Sequence, residues 1–396
     1  MRTPRLTTDG AVGKVLRSLA EAGVEAELFT DVQVEPTRAS MERAVGWMRG
    51  LGGRKRMGAV IAVGGGSAMD TAKVANLLSA LPEADFHDHV NAPIGKGKPV
   101  PRGASLLPLV AIPTTSGTGS EATGVAIYDE GAPTYAKTGF ADRTLRPTLG
   151  IVDPECCDTM PRGVRVASGF DTLCHALESY TALPYHERTP RPATPDQRPA
   201  YQGANPVSDV WAVKALEIVR EHFVRSVEDP DAKESRDAMA LASAMAGVGF
   251  GSAGVHLCHG MSYPISGLRK PERALPGYTA KIVPHGVAVT TTAPAVFRFT
   301  APACPERHAH AAELLTGRGV VSGGDASIAG GAVGDAVLEL MQTLSLPLGL
   351  EALGYGSGDV DALVDGALPQ RRVLQLAPRR TEHDELASIY EAALRY

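Results

Sequence analysis

Two short apolar runs, Met57–Val63 and Leu106–Ile112, each stop at a loop that leaves the backbone bare or lines it with hydroxyls. The first ends in Gly64-Gly65-Gly66-Ser67, with a helical pattern over Ala68–Leu78 behind it. The second ends in Pro113-Thr114-Thr115-Ser116-Gly117-Thr118-Gly119-Ser120-Glu121. Runs this short and this apolar suit strands buried on both faces, and helices between strands make their pairing parallel. Further strands are expected at Ala26–Phe29, Thr123–Tyr128, Tyr135–Phe140 and Thr148–Val152, with helices at 11–22 and Arg43–Arg49. The pattern predicts an α/β domain with a mainly parallel sheet up to about Asp153.

Past Pro154 a helical period takes over: Gly169–Leu183, Ser208–Val227, Ser235–Phe250, Ile328–Leu344 and Glu382–Leu394. A chain of 396 residues is too long for one ordinary core. The expected division is a dinucleotide-binding α/β domain over 1–154 and an all-helical metal-binding, catalytic domain over 155–396. Two inserts read as irregular: Pro184–Pro206, with Arg188, Arg191 and Arg198, and Leu268–Pro284, with Arg269, Lys270 and Arg273.

A net charge of −5 without a long basic run argues against nucleic acid as a partner. No apolar run reaches the length of a bilayer, so no membrane partner is expected, and the N-terminus lacks the apolar core of a secretory signal. The cysteines, Cys156, Cys157, Cys174, Cys258 and Cys304, form no CxxC pair, which fits buried thiols in a reducing compartment. A homo-oligomer, a dimer, is expected, located in the cytoplasm or, in a eukaryote, the mitochondrial matrix.

Asp171 and His175 stand four residues apart on a helix read as amphipathic, so a carboxylate and an imidazole share one face. Alone, such a pair is more often a surface hydrogen bond than a metal site. Two more histidines, His259 and His285, are each followed by glycine, which leaves room for something bulky beside the backbone. The four together predict one divalent cation. A carboxylate and three imidazoles, with no thiolate, suit Fe(II), with Zn(II) as the stronger competitor by intrinsic affinity. His256, three residues before His259, reads as a packing histidine or one that touches a ligand.

The Gly64–Lys73 stretch matches neither GxGxxG nor the P-loop, and a tight strand–helix turn also explains it. Bare backbone at the start of a helix nevertheless suits a pyrophosphate. Two such loops at neighbouring strand ends predict a nucleotide crevice.

Taken together, GGGSxxDxxK, PTTSGTGSE, DxxxH and the two His-Gly sites, in this order, resemble the iron-containing (group III) alcohol dehydrogenases. The resemblance covers nearly the whole chain and implies a dehydroquinate synthase-like architecture. It makes Asp171, His175, His259 and His285 the metal ligands. Gly65, Gly66, Ser67 and Asp70 become the pyrophosphate loop, and Thr114, Thr115, Thr118 and Ser120 the second nucleotide loop. Lys137 looks like the lysine that reaches the cofactor ribose, and Asp9 like the acid that favours NAD over NADP.

Within the family the likeness is to members that move hydride between a hydroxyacid and an oxoacid through bound NAD. It rests on Leu173–Tyr180, Arg198–Pro206, Val255–Leu268 and Pro305–His308, and includes both inserts. The substrates it implies are 4-hydroxybutyrate and 2-oxoglutarate, giving succinate semialdehyde and 2-hydroxyglutarate. Cationic side chains of the inserts are expected to meet these acids. A plain NAD(P)-dependent alcohol dehydrogenase with exchangeable cofactor is the alternative.

Two departures from the family stand out. The family's first strand and helix would precede Met1, so either the start site is misassigned or a nucleotide domain with a thinner sheet is expected. Tyr263 stands where many alcohol dehydrogenases of the family carry a further histidine, four residues after the third ligand.

Overall fold

Val60–Gly64 (β1) lies parallel to Leu109–Pro113 (β2), from Val60 opposite Leu109 to Gly64 opposite Pro113. The computed structural model describes residues 10–131, 136–268, 275, 278, 281–320 and 325–396. Two units divide the chain: Met1–Thr115 with Ser120–Met160, and Ser116–Gly119 with Pro161–Tyr396.

In the first unit, Val125–Asp129 (β3) and Lys137–Ala141 (β4) form an antiparallel hairpin, while Leu149–Gly150 (β5) joins the far side of β2. The parallel sheet is therefore three strands in the order β1-β2-β5, with the hairpin as a separate two-stranded piece. Its helices are Ala11–Glu21 (α1), Arg38–Gly50 (α2) and Gly66–Ala80 (α3). Thr37 starts α2 with a reciprocal cap, its hydroxyl accepting from the Ser40 N–H and the Ser40 hydroxyl accepting from the Thr37 N–H. Met41, Val45 and Met48 of α2 pack with Val74, Leu77 and Leu78 of α3. Phe86 sits edge-on to Tyr128 and Phe140, at 5.3 and 5.5 Å between ring centres.

The strand expected at Ala26–Phe29 does not form. Leu28 is exposed, and Phe29 sets its ring against Trp47 at 5.2 Å instead of entering a ladder. A four-residue extended piece gains nothing from strand geometry without a neighbour to pair with.

The second unit holds Arg162–Thr181 (α4), Pro206–Glu228 (α5), Lys233–Ala253 (α6), Leu257–Gly267 (α7), His285–Thr300 (α8), Pro305–Thr316 (α9), Ala326–Thr343 (α10), Val360–Ala367 (α11), Arg371–Leu374 (α12) and His383–Ala392 (α13). The helix α4 is its axis, and here the amphipathic expectation is corrected: every residue from Gly169 to Thr181 is buried. Neighbouring helices cover the side that sequence assigns to solvent. Phe170 meets Phe223 of α5 edge-on at 5.0 Å, and a Cβ on Gly169 would run into that ring. Phe170, Leu173 and Leu177 are fully buried, worth about 2–3 kcal/mol each. Among the described residues, no single helix is long and apolar enough to cross a membrane.

Candidate metal centre

On α4, Asp171, His175 and Glu178 fall on one stripe. Two other helices then bring an imidazole each: His259 lies in the first turn of α7, and His285 opens α8. Their approach depends on missing side chains. A Cβ on Gly286 would strike the Ala167 carbonyl of α4, and one on Gly260 would come within 2.5 Å of Leu374.

Asp171 Oδ1 is the centre of the arrangement. It lies 3.9 Å from His175 Nε2, 3.5 Å from His259 Nε2 and 3.7 Å from His285 Nε2. Donor atoms of Asp171, His175 and His259 all fall within 4.8 Å of one another. Asp171 Oδ1 and His259 Nε2 are buried and make no hydrogen bond. Polar atoms in that condition are costly unless something else occupies them.

The outer edges of two imidazoles are fixed. His175 Nδ1 donates to the Gly117 carbonyl at 3.1 Å, and its ring stacks on Phe250 at 3.9 Å. His259 Nδ1 donates to Glu178 Oε2, whose other oxygen accepts from the N–H groups of His256 (3.1 Å) and Cys258 (2.7 Å). Each bond fixes Nδ1 as a donor and leaves Nε2 as the ring atom that faces inward. Burial pushes His175 down to about 3. Burial also opposes charge on Asp171 and on His259, but neighbours outweigh it. The three imidazoles hold Asp171 below its usual range, and Glu178 with Asp171 lifts His259 to about 10. His256 is buried, hydrogen-bonded through Nε2 to Thr181 at 3.1 Å, and stands beside Glu178. It packs and is not part of the cluster.

In the first unit, the turn from β1 into α3 meets the end of β2. A Cβ on Gly65 would stand 3.1 Å from the Thr115 methyl, and one on Gly64 would collide with Ala68. Gly66 and Ser67 begin α3, and Thr114 donates its N–H to the Gly64 carbonyl. Asp70 is used internally: it accepts from Ser120 Oγ at 2.6 Å and from the Ile127 N–H at 2.9 Å. Lys73 donates to Ser120 Oγ and the Val125 carbonyl, at 2.7 and 2.8 Å. Lys137 is buried between Glu35 and Asp129. Thr118 belongs with the second unit, as do its neighbours Ser116–Gly119. Asp9, Arg269, Lys270 and Arg273 lie outside the described residues. A cavity of about 380 Å³, lined by Asn76, Leu107 and Arg146 among others, opens at the start of β2. Parallel sheets bind ligands at the opposite, carboxyl ends of their strands.

Sequence reasoning missed Glu178 and Lys73. The signal for Glu178 was its place on the same helical stripe as Asp171 and His175. Of the insert cations, Arg188 is committed to the Tyr201 carbonyl and Arg191 to that of His186.

The chain belongs to the iron-containing alcohol dehydrogenase family. Residues 2–154 match the family described as iron-containing alcohol dehydrogenase, and residues 200–394 match its C-terminal part. It is therefore an oxidoreductase. Among its relatives are the mitochondrial hydroxyacid-oxoacid transhydrogenases of Rattus norvegicus and Homo sapiens. The first is 50% identical over 382 residues, covering 96% of this chain and 80% of that protein. The second is 49% identical over 384 residues, covering 96% and 79%. Among solved structures, a 1,3-propanediol oxidoreductase matches with a TM-score of 0.80 at 28% identity, over 98% of this chain and 89% of its own.

Proposed function

We propose that this chain moves hydride from a hydroxyacid to an oxoacid through a bound nicotinamide dinucleotide. The substrate pair is 4-hydroxybutyrate with 2-oxoglutarate, and the products are succinate semialdehyde and 2-hydroxyglutarate. The carrying observation is a buried carboxylate facing three imidazole nitrogens, two of whose central polar atoms have no protein partner. Relatives about half identical over nearly the whole chain supply the substrate class.

Asp171, His175, His259 and His285 hold the cation, Fe(II) by preference, with Zn(II) competing for the same donors. When bound, that ion polarises the oxygen of the hydroxyl or carbonyl that reacts. Glu178 and the Gly117 carbonyl keep the His259 and His175 rings oriented so that neither has to turn. Gly65, Gly66 and Ser67 present backbone to the pyrophosphate at the start of α3, with Thr114 and Thr115 just past β2 beside it, and Thr118 is assigned to the second nucleotide loop. Asp70 and Ser120 serve by tying the second loop to α3, and Lys137 by reaching the ribose. In a eukaryotic source the compartment is the mitochondrial matrix.

The test is turnover by purified protein without added nicotinamide. 4-Hydroxybutyrate alone is expected to raise the absorbance of bound reduced nicotinamide once, and 2-oxoglutarate to discharge it and sustain product formation. Turnover that needs free NAD and ignores the oxoacid would make the chain a plain dehydrogenase.

A further inference from the structure

The short helix α12 carries a cation that no carboxylate among the described residues neutralises. Arg372 Nη2 donates to the Tyr263 hydroxyl at 3.3 Å, while Nη1 is buried and has no hydrogen-bond partner. No carboxylate among the described residues forms an ion pair with it. A guanidinium has five N–H donors in a fixed fork, and withdrawing some of them from water without an acceptor is costly.

Its surroundings place it beside the metal cluster. Tyr263 stands four residues beyond His259 on α7, so the two side chains share a face. On the other side, the Arg372 guanidinium lies over the Tyr201 ring at 5.1 Å. Tyr201 neighbours Phe250 at 6.5 Å, and Phe250 stacks on His175. Arg372 is thus linked to His259 by one helical turn and to His175 by two aromatic rings. The close packing of Gly260 against Leu374 fixes α12 on α7.

We propose that Arg372, together with the Tyr263 hydroxyl, seats the carboxylate of the acid substrates at the end remote from the reacting carbon. This rests on the hydroxyacid reading above and supplies an anion contact while Arg188 and Arg191 are committed to backbone carbonyls. Arg372 holds the Tyr263 oxygen as acceptor, which frees the phenol proton to point at the same anion, and Nη1 completes a planar fork. An uncharged alcohol of similar length gains nothing there.

The experiment uses the full chain with its metal, and glutarate as a non-reacting dicarboxylate probe. Calorimetric binding of glutarate is compared in wild type, Arg372→Met and Arg372→Lys. KM for 4-hydroxybutyrate is compared with that for 1,4-butanediol. Arg372→Met is expected to weaken glutarate and raise the hydroxyacid KM by about 100-fold, leaving the diol within a few fold and the metal content unchanged. Arg372→Lys, which keeps the charge, is expected to lose about tenfold and decides the matter if the methionine variant does not fold. Unchanged glutarate binding in the variant that folds, or equal losses for acid and diol, would overturn the assignment. Wild type that binds glutarate through Arg372 yet exchanges no hydride with an oxoacid would defeat the transhydrogenase reading while supporting the anion seat.

Discussion

The two units treat their polar side chains in opposite ways. In the first, Asp70, Lys73 and Ser120 are spent on one another and on β3, so the turn from β1 into α3 is left with backbone and small residues. In the second, Asp171 and His259 are buried with central atoms that make no hydrogen bond among the described residues. A dinucleotide held at the first would meet a surface already complete. An ion held at the second would fill one that is not. The difference predicts which unit depends on its ligand for stability.

Removing the shared carboxylate should cut deepest. Asp171→Ala is expected to lose the metal and to lower turnover at least about 10³-fold, measured by elemental analysis and steady-state rates. Retained metal at full stoichiometry would break the contrast. Glu178→Gln sharpens it: the ring of His259 loses its anionic anchor, and metal affinity is expected to fall about 10- to 100-fold in a chelator competition. In the first unit, Lys73→Met should cost about 1–3 kcal/mol of stability in a denaturant titration and leave metal content alone.

Burial pushes Lys73 down to about 8, against the pull of Asp70 and Glu121. An unfolded lysine titrates near about 10.4, so between those values the unfolded chain binds the extra proton, and wild-type stability gains as pH rises. The methionine variant should lack that gain. Smallest of all, Gly65→Ala presses on the Thr115 methyl and is expected to weaken nicotinamide binding by a few fold without touching the metal.

Where a feature depends on neighbours in sequence, it was readable. The Asp171–His175 spacing is fixed by helical geometry, and β1 and β2 announce themselves through apolar runs that end in glycine or proline. Their observed bounds, Val60–Gly64 and Leu109–Pro113, fall within a few residues of the runs. Features decided by packing were not readable. The helices α7 and α8 contain Pro264 and Pro294, and α7 also carries Gly260, residues that argue against a helix locally. Burial and the need for close approach override that. Helical spacing does not reach His259 and His285; the glycine after each suggests them as partners of Asp171, and resemblance to a family then makes them ligands. Arg372 lies in the stretch Leu368-Pro369-Gln370-Arg371-Arg372-Val373-Leu374, which has no pattern to single it out. Its meaning comes from the partners it lacks.

The four side chains of the cluster are not equally enclosed. The side chains of Asp171, His175 and His259 are at most 5% exposed, whereas that of His285 is 30% exposed. The ring at the mouth of α8 is therefore the loosest jaw of the clamp. An ion held by these side chains would be least covered on that flank, the side that a chelator or a competing metal is expected to meet first.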